Sequence, residues 1–220
     1  MKRGLFIAGL LTLVVAWTGP LPELAHKAFF GHMTMHMLNV ALAAPLLALG
    51  IAGTRFDPVD RLPRLFAPIP ASVAELIIVW GWHAPAPHHL ARMSFFGLAA
   101  EQLSFLFAGV WVWLSAFGGR VDASHDSATG DAIQKGRRAA GVIGLLLTSM
   151  HMTLLGALLA LSPRPLYPHH HGFGTLSALG DQHLGGAIML VAGGIAYLSG
   201  GLWLTVEVLR NTSLKEDIAT

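Results

Sequence analysis

Of 220 residues, 54% are hydrophobic and only 12% charged, whereas an average soluble domain is about one-quarter charged, so lipid rather than water must cover much of this chain. Its mean hydropathy is +0.59, and its net charge of +2 sits in short loops, where basic residues set membrane topology rather than bind nucleic acid. With no cysteine, neither a disulfide framework nor a thiolate metal site can form; the excess lies in 12 His and 8 Met, so any metal chemistry falls to these or to carboxylates.

A membrane span needs roughly 20 mostly apolar residues. Six stretches approach this, at about 4–20, 32–52, 69–84, 94–117, 139–161 and 183–208. The expected fold is therefore all-α, a single polytopic transmembrane helical bundle of about six helices occupying 1–220. The first stretch, Lys2-Arg3 followed by an apolar run to Trp17, also has the look of a signal peptide. No clean small-x-small cleavage site follows it, and its removal would leave the other spans oriented as before. The third stretch is the shortest; it contains Glu75 and ends at Trp82-His83-Ala84-Pro85. Trp80, Trp82, Trp111, Trp113 and Trp203 fall near expected helix ends, as interfacial anchors do. The segment 122–131, with Asp122, Ser124, Asp126, Ser127 and Gly130, reads as a mobile polar loop.

Placing the N-terminus in the cytoplasm puts Lys2, Arg3, Arg55, Arg61, Arg64, Arg120, Lys135, Arg137, Arg138, Arg210 and Lys215 on that side. Only Lys27, Arg92 and Arg164 fall outside. This is a strong positive-inside bias, and the flipped topology would invert it. The basic residues alone set that topology, yet it sorts the histidines. His26, His32, His36, His83, His88, His89, His169, His170, His171 and His183 lie outside or at outer helix ends. His151 is within the membrane, and His125 is cytoplasmic.

His32-Met33-Thr34-Met35-His36-Met37 is the densest piece. His32 and His36 are i,i+4 and share a helix face, and Asn39 continues that stripe. Met33 and Met37 form a second stripe about 100° round. Imidazole suits copper, zinc, iron and nickel, while thioether selects Cu(I), so a His/Met site without cysteine points to copper. The plain alternative is that methionine fills the core and histidine snorkels.

Met150-His151-Met152 puts an ionisable group at mid-membrane, a functional hypothesis by default; a histidine hydrogen-bonded to Thr148 is the rival. His151 lies deeper than His32 by about 10 Å. The histidines need not share one ion, and a column of two sites or a metal plus a proton-handling histidine is equally open. Glu101, about two turns below the outer end of helix four, would be protonated, paired or metal-bound if buried, and could orient a ligand histidine. A helix-end Glu reaching water is the alternative. Asp181-Gln182-His183-Leu184-Gly185-Gly186 opens the last helix, with Asp181 as its expected N-cap. Gly185, Gly186, Gly193, Gly194, Gly200 and Gly201 allow close helix packing. His169-His170-His171 could gather metal ions or be a solvated loop, and His88-His89 carries a weaker signal.

No P-loop, GxSxG or HExxH occurs; His32 and His36 have the zincin spacing, with Met33 where the base would stand. A hydrolase is disfavoured, and no enzyme activity is expected.

The pieces His32-Met33-x-x-His36-Met37-Leu38, Trp82-His83-Ala84-Pro85, Glu101-x-x-Ser104-Phe105, Pro165-Leu166-Tyr167-Pro168 and Asp181-Gln182-x-Leu184-Gly185-Gly186 with Met189 run in this order over most of the chain. In order and placement they resemble the CtaG-type assembly proteins of caa-type cytochrome c oxidase. That family often has Glu-His where this chain has Glu101-Gln102, and is often described with seven spans, so a seventh is possible here. The resemblance implies a role in maturing a haem–copper oxidase in the bacterial inner (plasma) membrane, with oxidase subunits or other copper chaperones as partners.

The candidate metal ligands are His32, His36, His83, His151 and His183, with Met33, Met37 and Met150 as soft donors for Cu(I). Glu101, Asp181 and Asn39 would orient or neutralise. Copper is the expected ion, and haem is not expected. The competing readings are a copper permease, a membrane b-type cytochrome with bis-His ligation, and a membrane enzyme using metal-activated water.

Overall fold

A computed structural model describes residues 1–119, 128–167 and 173–219, with the side chains of 128–133 and 211–219 outside the description. His125, the His169-His170-His171 tract, Pro168 and most of the 122–131 segment lie outside the described residues. The described residues form an all-α bundle without β-strands. Its helices are α1 (Lys2–Thr18), α2 (Leu21–Lys27), α3 (Phe29–Ile51), α4 (Pro68–His83), α5 (Pro85–Arg92), α6 (Phe95–Phe117), α7 (Ala128–Ala160) and α8 (Ala178–Ala219).

Four of these are long and apolar enough to cross a membrane, namely α3, α6, Gln134–Ala160 of α7 and Ala178–Arg210 of α8. A fifth arises if α1 and α2 are one span bent by 52°. The bend falls at Gly19-Pro20, where Pro20 and Pro22, on either side of Leu21, remove two helix donors. The remaining expected span is α4, whose 16 residues reach only about 24 Å, short of a hydrocarbon core about 30 Å thick. It is nonetheless a full member of the bundle, packed on α6 and α7.

Two short helices, α2 and α5, lie where the sequence reading has loops. Each starts on prolines whose missing donors suit a first turn. Gly31 lets α2 fold back onto α3, since a Cβ there would stand 2.6 Å from Leu24 Cγ.

In α3 a π-turn over Leu38–Ala43 interrupts the α-geometry just below His36. Pro45 follows, and its ring would clash with the carbonyl four residues back in a regular helix; the wider turn relieves this. α7 and α8 pair along their length, closest where a Cβ at Gly186 would strike Ala160 N, and almost as close where one at Gly156 would stand 2.7 Å from Leu190 N. The exposed face is apolar, with Phe96, Phe107, Leu158, Ile195 and Leu202 all more than half exposed, as a lipid-facing surface requires. Trp113 is a correction to the anchor reading: it is 4% exposed and stacks on Tyr197 and Phe117, because its side of α6 faces the core.

The bundle has two unlike ends. At one, the 52–67 connection returns against the ends of α1, α6 and α7. Asp57 accepts from the backbone N–H of Gly53 at 2.6 Å, Val59 at 3.0 Å and Gly119 at 2.8 Å. Gly53 and Gly119 have φ of 67° and 89°, a left-handed backbone that glycine adopts without strain. Lys2 Nζ reaches the Ala52 carbonyl, and Arg137 lies 3.5 Å from Asp60. The other end carries the histidines.

Candidate functional site

The histidine end is assembled from α3, α4, α5 and α6. His32 and His36 project from one face of α3, as their spacing dictates, with ring centroids 6.3 Å apart. His83, the last residue of α4, lies 5.5 Å from His32 and 5.4 Å from His36. All three are buried, as is Phe105 of α6, whose ring packs 4.0 Å from His36.

The centroid spacing of this triangle is near that of a three-imidazole metal site, but its ring nitrogens do not converge: among the described residues, the group whose ligand atoms lie within 4.8 Å of one another is His32, His88 and Glu101. A metal lies about 2.0–2.1 Å from each ligating nitrogen. With a ring radius of about 1.1 Å, three ligands spread evenly in a plane have centroids about 5.5 Å apart. The tautomers are compatible with such a site. His83 Nδ1 donates to the Val79 carbonyl at 2.7 Å, which leaves the lone pair on Nε2, an atom without a hydrogen-bond partner. Both ring nitrogens of His36 are buried without a partner, a state that costs free energy unless a ligand offsets it.

A second group lies directly above. His32, His88 and Glu101 each offer an atom, and all lie within 4.8 Å of one another. Glu101, from α6, is fully buried, which removes the water-reaching alternative. Its partner is Arg92 of α5, whose guanidinium bonds Glu101 Oε2. Arg92 also donates to the Ala25 carbonyl at 3.0 Å and lies 3.1 Å from His32 Nδ1. Burial lowers its pKa, opposed by the charge of Glu101, but a guanidinium remains cationic. Arg92 is thus the cation that the structure supplies to this carboxylate.

His32 Nδ1 has two options. It can accept from Arg92, which places its proton on Nε2 and blocks that atom as a ligand. Or it can donate to Glu101 Oε2, 3.3 Å away, which opens Nε2 towards the triangle in a carboxylate–histidine–metal arrangement. Asn39 Nδ2 donates to Gln102 Oε1 at 2.8 Å, and Gln102 Nε2 donates to Glu101 Oε2 at 3.3 Å. Tyr167 closes the end, its hydroxyl donating to the His83 carbonyl at 2.8 Å and its ring stacking on Phe29. Burial, then the charge of Glu101, holds this phenol above its usual pKa, a neutral donor.

The other expected residues lie elsewhere. Met33 and Met37 are buried, but they face the glycines of α8. A Cβ at Gly185 would stand 3.1 Å from Met33 Cγ, and one at Gly193 3.8 Å from Met37 Sδ. Met150 is 62% exposed on the outer surface of α7. His183 bonds the Ser162 carbonyl at 2.9 Å. His151 is buried on α7, and neither ring nitrogen has a partner. The N-cap expectation for Asp181 needs correcting, because α8 begins earlier, with Ser177 Oγ accepting from Gly180 N at 3.1 Å. Asp181 instead caps α3, taking the N–H groups of Phe29 and Phe30 at 2.8 and 2.9 Å. Sequence reasoning undervalued His88 and passed over Arg92 and Gln102. The available signal was local: after Pro85-Ala86-Pro87, residues 88, 91 and 92 share one face of a short helix.

A helical bundle with an apolar exterior and a buried imidazole–carboxylate–guanidinium cluster at one end defines a class of polytopic membrane protein. The chain belongs to the cytochrome c oxidase caa3 assembly factor family (Caa3_CtaG), whose model matches residues 1–211. No curated protein and no solved structure matches it.

Proposed function

We propose that this assembly factor binds Cu(I) as cargo at the His32–His36–His83 triangle and supplies it to a haem–copper oxidase during maturation. The observation that carries the reading is the cluster itself, three buried imidazoles with ring centroids 5.4 to 6.3 Å apart, two of them with ring nitrogens lacking hydrogen-bond partners. Three neutral imidazoles suit a soft or borderline ion, and a trigonal set leaves the ion open to transfer. Glu101 orients His32 when it accepts the Nδ1 proton, and Arg92 competes for the same carboxylate. The positive-inside bias supports an outward-facing cluster, on the side where an oxidase's outer copper centres would be loaded, in the bacterial inner membrane.

The test is metal content of detergent-purified protein loaded with Cu(I) under reducing conditions, wild type beside His32→Ala/His36→Ala, with oxidase copper measured in the same cells. Near-stoichiometric copper lost in the variant, together with copper-poor oxidase, is the expected result. Copper-replete oxidase in the variant would sink the delivery role.

A permease is the second reading, and one observation favours it: polar groups continue below the triangle, at Glu75, Tyr197, Ser72 and Thr148. Copper uptake into vesicles holding the purified protein alone would distinguish transport from delivery.

A further inference from the structure

Glu75 lies midway along α4 and is fully buried. Its Oε1 accepts from the Tyr197 hydroxyl of α8 at 2.6 Å, and its Oε2 has no hydrogen-bond partner. The Tyr197 hydroxyl also lies 3.5 Å from the Val40 carbonyl, in the π-turn of α3. One turn below Glu75, Ser72 bonds Thr148 of α7 at 2.8 Å. Four helices therefore direct polar groups to one buried place.

The titratable groups near the level of Glu75 on these helices are few. Tyr197 stands on α8. His151 stands on α7 at the same depth, since α4 and α7 run parallel and Pro68–Gly144 and Ser72–Thr148 share an offset of 76 residues. α3 offers His36, one turn above Val40, and α6 carries no charged side chain from Gln102 to Phe117. Among the described residues no lysine or arginine pairs with Glu75. Glu101 differs in this respect, because Arg92 supplies its counter-charge. A carboxylate placed among neutral donors in a membrane interior must take up a cation or a proton. The Glu75 surroundings offer hydroxyls, from Tyr197 and one turn below from Ser72 and Thr148, but no second carboxylate, so the smallest cation fits them best.

We propose that Glu75 is a proton-binding site within the membrane, holding an exchangeable proton on its carboxyl, with Tyr197 as its hydrogen-bond donor and separate from the histidine end. Binding joins the proton to a carboxylate oxygen, and release returns it to water. The role of Tyr197 is to position the carboxyl.

The test is infrared spectroscopy of the metal-free full-length protein in lipid, in the region of the protonated carboxyl C=O stretch. Wild type is expected to show such a band near neutral pH, shifted in D2O. Glu75→Gln should abolish it, and Tyr197→Phe should move it to higher frequency by removing the donor to that oxygen. Should Glu75→Gln fold poorly, Tyr197→Phe together with Glu101→Gln serves: the band should move in the first and stay in the second. A wild-type spectrum without the band, a band that survives Glu75→Gln, or a band unmoved in D2O would overturn the proposal. The metal-free measurement does not rest on copper binding, so this proposal and the delivery reading fail separately.

Discussion

The two ends of the bundle use buried polar groups in opposite ways. At the Asp57 end the acid is consumed by structure: its oxygens take three backbone N–H groups and close the connection between α3 and α4. At the histidine end the donors are present but the bonds are incomplete. His36 has no partner on either nitrogen, and one nitrogen of His83 is open. A buried group whose bonds are all made holds a fold together, whereas one whose bonds are left open calls for an explanation, of which a bound ligand is one. Asp181 shows that the rule follows the bonding rather than the end: it lies at the histidine end, and both its oxygens are used in capping α3.

The largest expected effect tests whether Glu101 belongs to a cation site. Arg92→Met strips the carboxylate of its counter-ion, and breaking a buried pair costs about 3–5 kcal/mol. The metal-free variant should therefore unfold at lower temperature in a detergent melt, and Cu(I) should restore much of the loss, because a loaded histidine cluster turns the His32 Nδ1–H onto Glu101 in place of the guanidinium. Loss without recovery on loading would make the Arg92–Glu101 pair purely structural.

Next in size is the opposite end. Asp57→Ala leaves three N–H groups without their charged acceptor, and since Gly53 is partly exposed, water recovers part of the loss. The expected cost is about 2–3 kcal/mol, read in the same melt, with copper stoichiometry in the folded fraction unchanged. A drop in copper binding would erase the distinction between the ends.

His36→Leu inverts that pattern. It removes no hydrogen bond, so the melting temperature should hold or rise. Copper affinity should fall by on the order of 100-fold or more, at least as much as losing an outer-shell partner costs. If stability falls and copper stays, His36 is a core residue.

Much of this was legible in the sequence. Apolar length gives the spans, and the spacing of His32 and His36 gives their shared face. The short helices were not legible, because seven or eight residues hold too little periodicity to separate from a loop, and His88 and Arg92 were undervalued with them. The partnership of Asp181 with α3 spans 152 residues and has no local signature. Glu75 was visible only as an oddity, since its meaning depends on Tyr197 of another helix.

The smallest expected effect concerns the methionines. A methionine at i,i+4 beside a histidine pair satisfies two patterns at once, soft ligand and core filler, and sequence cannot separate them because both require only a helical stripe. The deciding fact is which neighbour each sulfur meets. Met33 and Met37 lie against α8 glycines, whose lack of side chains leaves room for a long flexible residue. Met150 is mostly exposed on a surface that lipid would cover. Met150→Leu should thus leave both copper stoichiometry and melting temperature unchanged, within about 0.5 kcal/mol. Met37→Leu, a swap of similar volume, should cost less than about 1.5 kcal/mol with copper affinity intact. A copper loss confined to Met37→Leu would bring the thioether back into the site, and α3 would then have to turn that side chain from α8 towards His36 when the ion enters, a movement that the π-turn beginning at Leu38 is well placed to absorb.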